Sequence, residues 1–162
     1  MWIETARCVI RPFTAEDIAS FMAYRNNMAW MRFQGFKGLP REAYEAALLT
    51  APDEVAGAQY ALALRESDHL IGDLYLKRER GGCWIGYTVA PEYAGQGYAA
   101  EAVRAMLGWL AKSGIHKALA GVEPENAASI KLLERLGFVD TGMDAEKERL
   151  YALVLENGSG LV

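Results

Sequence analysis

Hydrophobic and polar positions change their period repeatedly along this chain, and each change marks a change of element. Ala6 to Phe13 reads as a strand with Pro12 at its end, and Thr14 with Asp17 forms a capping pattern for a helix from Ala15 to about Asn26. Ile18, Phe21, Met22 and Arg25 recur there at helical spacing. A second short helix is expected over Pro40 to Leu49. Between them, Asn27 to Gly38 carries Met28, Trp30, Met31, Phe33 and Phe36 with no clear period, as a loop with buried aromatics or a binding wall would. The pattern then turns to strands. Gln59 to Arg65 and Leu70 to Glu79 flank the polar turn Glu66-Ser67-Asp68-His69 as a hairpin, and Cys83 to Val89 follows as a third strand. From Tyr98 the spacing of Ala99, Ala102, Val103, Met106 and Leu110 is helical again, and Gly114 suits the residue just past the helix. Gly121-Val122 closes a further strand. Asn126 and Gly137 bracket a last helix with Ile130, Leu133 and Leu136 as its apolar stripe. A strand after Phe138 and a buried strand at Arg149 to Leu155 complete the series.

The junction of strand and helix at residues 89–102 is where chemistry is expected. Pro91 cannot donate to a sheet ladder, so the strand should stop or splay there. Gly95 and Gly97 follow, and the small residues around them leave the N–H groups of the first helical turn uncovered. Such a loop at a positive helix end suits a pyrophosphate. Gly95-x-Gly97-x-x-Ala100 formally satisfies a dinucleotide-binding fingerprint, but that fingerprint needs a βαβ unit with an acidic residue about 20 positions on. Glu123 stands near that distance, followed by Pro124, and strands rather than helices precede the loop. A P-loop is excluded because no Gly-Lys-Ser/Thr follows.

Composition narrows the class. The 162 residues suffice for one domain with a real core, expected over 1–156 with a flexible tail at 157–162. Apolar residues make up 52% and charged residues 23%, which excludes disorder. The net charge of −4 argues against nucleic acid and is compatible with a cationic amine. Cys8 and Cys83 lack paired spacing and read as reduced core thiols, with no metal expected. No signal peptide or membrane span is visible, so a cytoplasmic location without membrane association is expected. His69 and His116 read as surface residues, and the four tryptophans mostly as core or groove material.

In Pro91-x-x-x-Gly95-x-Gly97-Tyr98-Ala99-x-Glu101-Ala102, Asn126-x-x-Ser129 and Leu136-Gly137-Phe138 the chain resembles the GCN5-related N-acetyltransferases (GNAT). It looks most like the branch that acetylates protein N-termini, including ribosomal ones. Arg11-Pro12-Phe13-x-x-x-Asp17 is similar to that branch's opening strand and turn. Ala94 departs from the family, whose loop usually begins with Gln or Arg. The resemblance implies an α/β (α+β) fold: a mixed, largely antiparallel sheet of about seven strands, splayed in the middle and flanked by about four helices. It implies transfer of the acetyl group of acetyl-CoA to a primary amine, on a small molecule or a peptide N-terminus, by a monomer or homodimer. The alternative is a catalytically weak acyl-CoA-binding sensor of the same fold. Cofactor contacts are implied at Val89, Ala90, Gly95, Gln96, Gly97, Tyr98, Ala99, Ala100, Asn126 and Ser129, with an N–H near Val89 facing the thioester oxygen. Met28, Trp30 and Phe33 would wall the acceptor groove. A general base is expected at Glu123, with Asp73 as the alternative. For the leaving thiolate two donors compete, Ser129 and Tyr151.

Overall fold

The structure is a computed structural model that describes residues 1–156; the tail expected at 157–162 lies outside the described residues. Eight strands form one sheet in the order β1-β2-β3-β4-β5-β6-β8-β7. They are β1 (Ile3–Glu4), β2 (Cys8–Arg11), β3 (Ala58–Leu64), β4 (Leu70–Glu79), β5 (Gly82–Val89), β6 (Lys117–Val122), β7 (Val139–Met143) and β8 (Arg149–Val154). Every neighbouring pair is antiparallel except β5 and β6. The strand beyond the expected number is β1, whose two residues are too few to show an alternation.

Four α-helices flank the sheet: α1 (Ile18–Arg25), α2 (Arg41–Leu48), α3 (Tyr98–Lys112) and α4 (Ala127–Arg135). The capping pattern at Thr14 and Asp17 is present, but it opens a 3-10 turn over Ala15–Asp17, and the α-helix begins only at Ile18. The same aspartate is buried against Arg11 at 2.8 Å, which ties the start of α1 to β2.

Two apolar clusters divide the interior. On one face α3 and α4 pack on the sheet, with Ala118, Ala120 and Val122 of β6 turned towards Met106, Leu107, Leu110 and Leu133. Leu107 and Leu110 are fully buried, and each contributes about 1.5–3 kcal/mol by area removed from water. On the other face α1 and α2 bury Phe21, Tyr24, Met31 and Tyr44. Met31 and Phe36 are the residues of the aperiodic segment that turn inward: Met31 is fully buried, and the Phe36 ring meets Phe21 and Tyr44. Of the tryptophans, expected mostly as core or groove material, Trp109 is half-buried against the first cluster, Trp84 is half-buried on β5, and Trp2 is 62% exposed. Burial pushes the thiols of Cys8 and Cys83 up to about 11, as inert core residues.

The sheet is splayed in its middle. β5 and β6 pair only at Cys83 with Ala118 and Trp84 with Leu119. Beyond that point each strand is held on its outer side alone, β5 by β4 as far as Val89 and β6 by β8 as far as Val122. Pro91 is therefore not what opens the gap, because pairing has already ceased at Trp84. It starts a 3-10 turn over Pro91–Tyr93 instead.

Candidate active site

The N–H of Ala90 donates to the carbonyl of Ile71 at 2.7 Å. Antiparallel ladders alternate bonded and non-bonded pairs, so the next pair, Gly72 with Val89, turns its N–H and C=O groups outward. For Val89 outward means into the gap beside β6. Its carbonyl accepts the indole N–H of Trp30 at 2.9 Å. Its N–H faces the same gap, where the resemblance leads one to expect a donor to the thioester oxygen.

The loop beyond has the geometry expected of an anion cradle. Gly95 and Gly97 have φ of +72° and +82°, a region in which side chains are strained. Among the described residues, the backbone N–H groups of Gly95, Gln96, Gly97, Tyr98, Ala99 and Ala100 donate to no protein acceptor. Six free N–H groups at the positive end of a fifteen-residue helix fit a pyrophosphate.

Glu101, in the first turn of α3, would repel such a ligand if it faced it. It is instead drawn to the chain's start: Thr5 Oγ1 donates to it at 2.6 Å, Arg7 N at 2.9 Å and Arg7 Nε at 2.7 Å. Burial works to raise its pKa, but these bonds outweigh it and leave the carboxyl below its usual value. Arg7 also donates to the carbonyl of Gln96 at 3.0 Å and lies 4.0 Å over the Tyr98 ring. A guanidinium thus stands against the loop from a residue that sequence reasoning passed over, where Ala94 offers no cation. Nothing in the local sequence of Arg7 signals this, because the contact spans ninety-odd positions.

Across the gap, the Asn126 side chain caps α4 by accepting the N–H of Ser129 at 3.2 Å. Ser129 Oγ lies 2.6 Å from the hydroxyl of Tyr87, on β5. Burial raises the Tyr87 pKa to about 12 against the opposing effect of the Ser129 bond. Tyr151 is 2% exposed on β8, paired with Ala120 of β6 and Asp140 of β7. β6 separates its backbone from the gap.

The opposite face of the splayed strands carries two hollows that share Gln34 and Gly35. The first, of about 640 Å³, runs from α2 to Gly86, Tyr87 and Thr88 on β5. Its floor is a buried polar knot. Asp73 pairs with Arg25 at 2.6 Å and accepts from Tyr24 and from Gln59 Nε2 at 3.3 Å. Because a carboxylate only accepts, the Gln59 amide must turn its nitrogen to Asp73 and leave Oε1 unpartnered. Arg25 also donates to the carbonyl of Gly35 at 3.0 Å, which pins the loop between α1 and α2. Asp73 is thus committed to the groove floor.

The second hollow, of about 720 Å³, is lined by Phe33, Lys37, Glu123 and Glu148. Glu123 is exposed at the end of β6, whereas Glu148 is half-buried over Gly121, whose added Cβ would meet its Oε2 at 3.2 Å. Burial first, then Asp144, Glu146 and Glu123, raise the Glu148 pKa. Sequence reasoning missed this residue, because it sits in a charged connection between the edge strand β7 and its neighbour β8. Met28 is 54% exposed and lines neither hollow, while Phe33 and Trp30 flank the gap.

The comparisons fit this geometry. A family profile described as an acetyltransferase (GNAT) domain matches residues 7–139, so the chain belongs to the GNAT acetyltransferases. It is an acetyl-CoA-dependent acetyltransferase. The chain is 28% identical over 140 residues to the uncharacterized N-acetyltransferase YnaD of Bacillus subtilis (strain 168), covering 85% of this chain and 82% of that one. It superposes with a TM-score of 0.82 on RimL, a ribosomal L7/L12 alpha-N-protein acetyltransferase in complex with coenzyme A, at 16% identity over 97% of this chain and 99% of that one. The ribosomal-protein-S5-alanine acetyltransferase from Vibrio fischeri superposes at 0.78 and 19% identity, over 99% and 100%. At these identities the structures share the fold. Among the described residues, no helix is long and apolar enough to cross a membrane.

Proposed function

We propose that the protein acetylates the α-amino group of a peptide or protein, with acetyl-CoA as co-substrate and direct attack in a ternary complex. The observation that carries this reading is the two-sided gap. Free N–H groups and α4 lie on one face of it, and the hollows with Glu148 lie on the other. Donor and acceptor enter from opposite faces and meet at Val89, so a bimolecular reaction becomes effectively unimolecular.

The residues divide the work. The N–H groups from Gly95 to Ala100 hold the pyrophosphate, and the Val89 N–H stabilises the oxygen that gains charge. Glu148 takes the proton of the attacking ammonium through water. The amine lone pair forms the C–N bond, the C–S electron pair leaves on sulfur, and the second proton lost by nitrogen passes through water to that sulfur. Ser129 meets the sulfur with a hydrogen bond. A thiolate of pKa ~8.5 is too weak a base to take the proton of a serine hydroxyl outright.

The base favours a terminal amine. An α-amine has a pKa of ~7.7–8.0 against ~10.4 for lysine, and a carboxylate, even one raised as Glu148 is, cannot efficiently strip a lysine ammonium. The shared fold with RimL and the S5-alanine acetyltransferase supports the same acceptor class. Comparing kcat/KM for lysine-free peptides of increasing length with that for amino-acid amides and polyamines tests it. Peptides should exceed the small amines by about tenfold or more, since groove contacts far from the reacting nitrogen then contribute. Equal values for a polyamine would overturn the assignment to peptides.

A further inference from the structure

Resting on that reading, we infer that Tyr87 is a positioning residue that fixes the proton of Ser129, so that the serine hydroxyl points into the gap as a ready donor to the thiolate. Tyr87 lies on β5 in the part that has lost its β6 partner, two residues before Val89. Its side chain joins the apolar cluster under α3 and α4 and crosses the gap to the first turn of α4. The strand that presents the oxyanion donor therefore also grips the helix that presents the thiolate donor.

The direction of this hydrogen bond decides what Ser129 can do. Each hydroxyl has one proton. If Ser129 donates to Tyr87, none is left for sulfur; if Tyr87 donates, the Ser129 proton is free. The acidities of the two groups and one distance favour Tyr87 as donor to Oγ, and the helix cap holds the serine in place. A phenol is the stronger acid and its oxygen the poorer acceptor. Tyr87 is 2.6 Å from Ser129 Oγ but 3.3 Å from the Ser129 carbonyl, which belongs to the helix. The Asn126 cap fixes the Ser129 backbone at 3.2 Å, so the hydroxyl cannot swing away by unwinding the turn.

Tyr87 does not itself supply the proton. Burial sets its titration near 12, well above a thiol at ~8.5, so transfer to a thiolate runs uphill. The phenol stays protonated throughout, and its bond polarises Ser129 instead. The charged groups nearest this end of α4 in sequence, Glu123 and Glu125, are exposed, and neither bonds to Tyr87 or Ser129 among the described residues.

The ionisation of bound coenzyme A tests this without any acceptor. The thiolate of the bound coenzyme is titrated by its ultraviolet absorbance in the wild type, Tyr87→Phe, Ser129→Ala and the double variant. Tyr87→Phe keeps the ring, and should raise the pKa of the bound thiol by about 0.5–1 unit, the size of one hydrogen bond. Ser129→Ala should raise it at least as far. The double variant should match Ser129→Ala alone, because Tyr87 acts through the serine. Ser129→Thr keeps the hydroxyl and should restore the Tyr87 dependence. Turnover by Tyr87→Phe should fall by about 3–10-fold with both KM values unchanged. Wild-type titration in Tyr87→Phe, or shifts that add in the double variant, would overturn the inference while leaving the proposed function intact. Failure of the wild type to bind coenzyme A would overturn both.

Discussion

The indole Nε1–H of Trp30 donates to the carbonyl of Val89 at 2.9 Å, joining the loop between α1 and α2 to the strand that ends in the glycine loop. Trp30 is 40% exposed, so this contact adds little to stability and bears instead on the mouth of the gap. Trp30→Phe should change the stability by less than about 1 kcal/mol, the value of one hydrogen bond. It should raise the acceptor KM about 3–10-fold and leave coenzyme A affinity within about threefold. Calorimetry and steady-state kinetics check both. An unfolded variant would make the segment core.

Glu148 and Glu123 make opposite predictions although they line the same hollow. With Glu148 as base, kcat/KM should fall towards acid through two ionisations, the amine near ~8 and a carboxyl above the usual ~4.3. Glu148→Gln should remove the lower one and reduce kcat about 10–100-fold. Glu123→Gln should keep kcat within about threefold and move the lower ionisation down, because the Glu123 charge helps to raise Glu148. Interchanged results would return the base to Glu123.

The Arg11–Asp17 pair, 4% and 5% exposed at its side chains, holds the start of α1 to β2. Burial works to raise the Asp17 pKa, but the bonds from Arg11 and Thr14 outweigh it and hold the carboxyl below its ordinary value. A depressed carboxyl adds stability above the unfolded pKa of ~3.9 and loses it as pH falls through the folded one. Asp17→Asn should therefore cost about 3 kcal/mol near neutrality and lower Tm by about 6–12 °C. The melting temperatures of wild type and variant should converge in acid.

Much of this architecture is legible in the sequence because local physics dictates it. Gly95 and Gly97 need positive φ, Asn126 caps α4, and the apolar stripe of α3 buries Met106 and Leu110 as its spacing implies. The loop with its free N–H groups could be read for the same reason, since those donors belong to the backbone. What escaped depends on pairing between distant segments. Tyr87 reads as an ordinary strand aromatic until the sheet splays and sets it against Ser129. Glu148 gains its character from burial over Gly121, and Arg7 from Glu101. Trp2 escapes burial because it precedes the two-residue edge strand β1, where little chain is left to cover it.

The loop assignment predicts a thermal shift. Coenzyme A at 100 times its dissociation constant should stabilise the fold by about 2.7 kcal/mol and raise Tm by about 5–10 °C. NAD and ATP, which lack the pantetheine arm, should do much less. Gly97→Glu should abolish the shift, both by setting a charge against phosphate and by forcing a side chain into φ of +82°. Equal shifts from NAD and coenzyme A would remove the gap from the account.

The most direct test of the central claim is the intact mass of two peptides incubated with the protein and acetyl-CoA. One has a free α-amine and no lysine; the other has a blocked N-terminus and one lysine. The geometry of Val89, Ser129 and Glu148 around the gap predicts a single acetyl group on the first, located on the terminal nitrogen, and none on the second. Acetylation of the lysine peptide alone would contradict the choice of acceptor. Binding of acetyl-CoA with no transfer to either peptide or to any small amine would contradict catalysis itself and leave a sensor of the same fold.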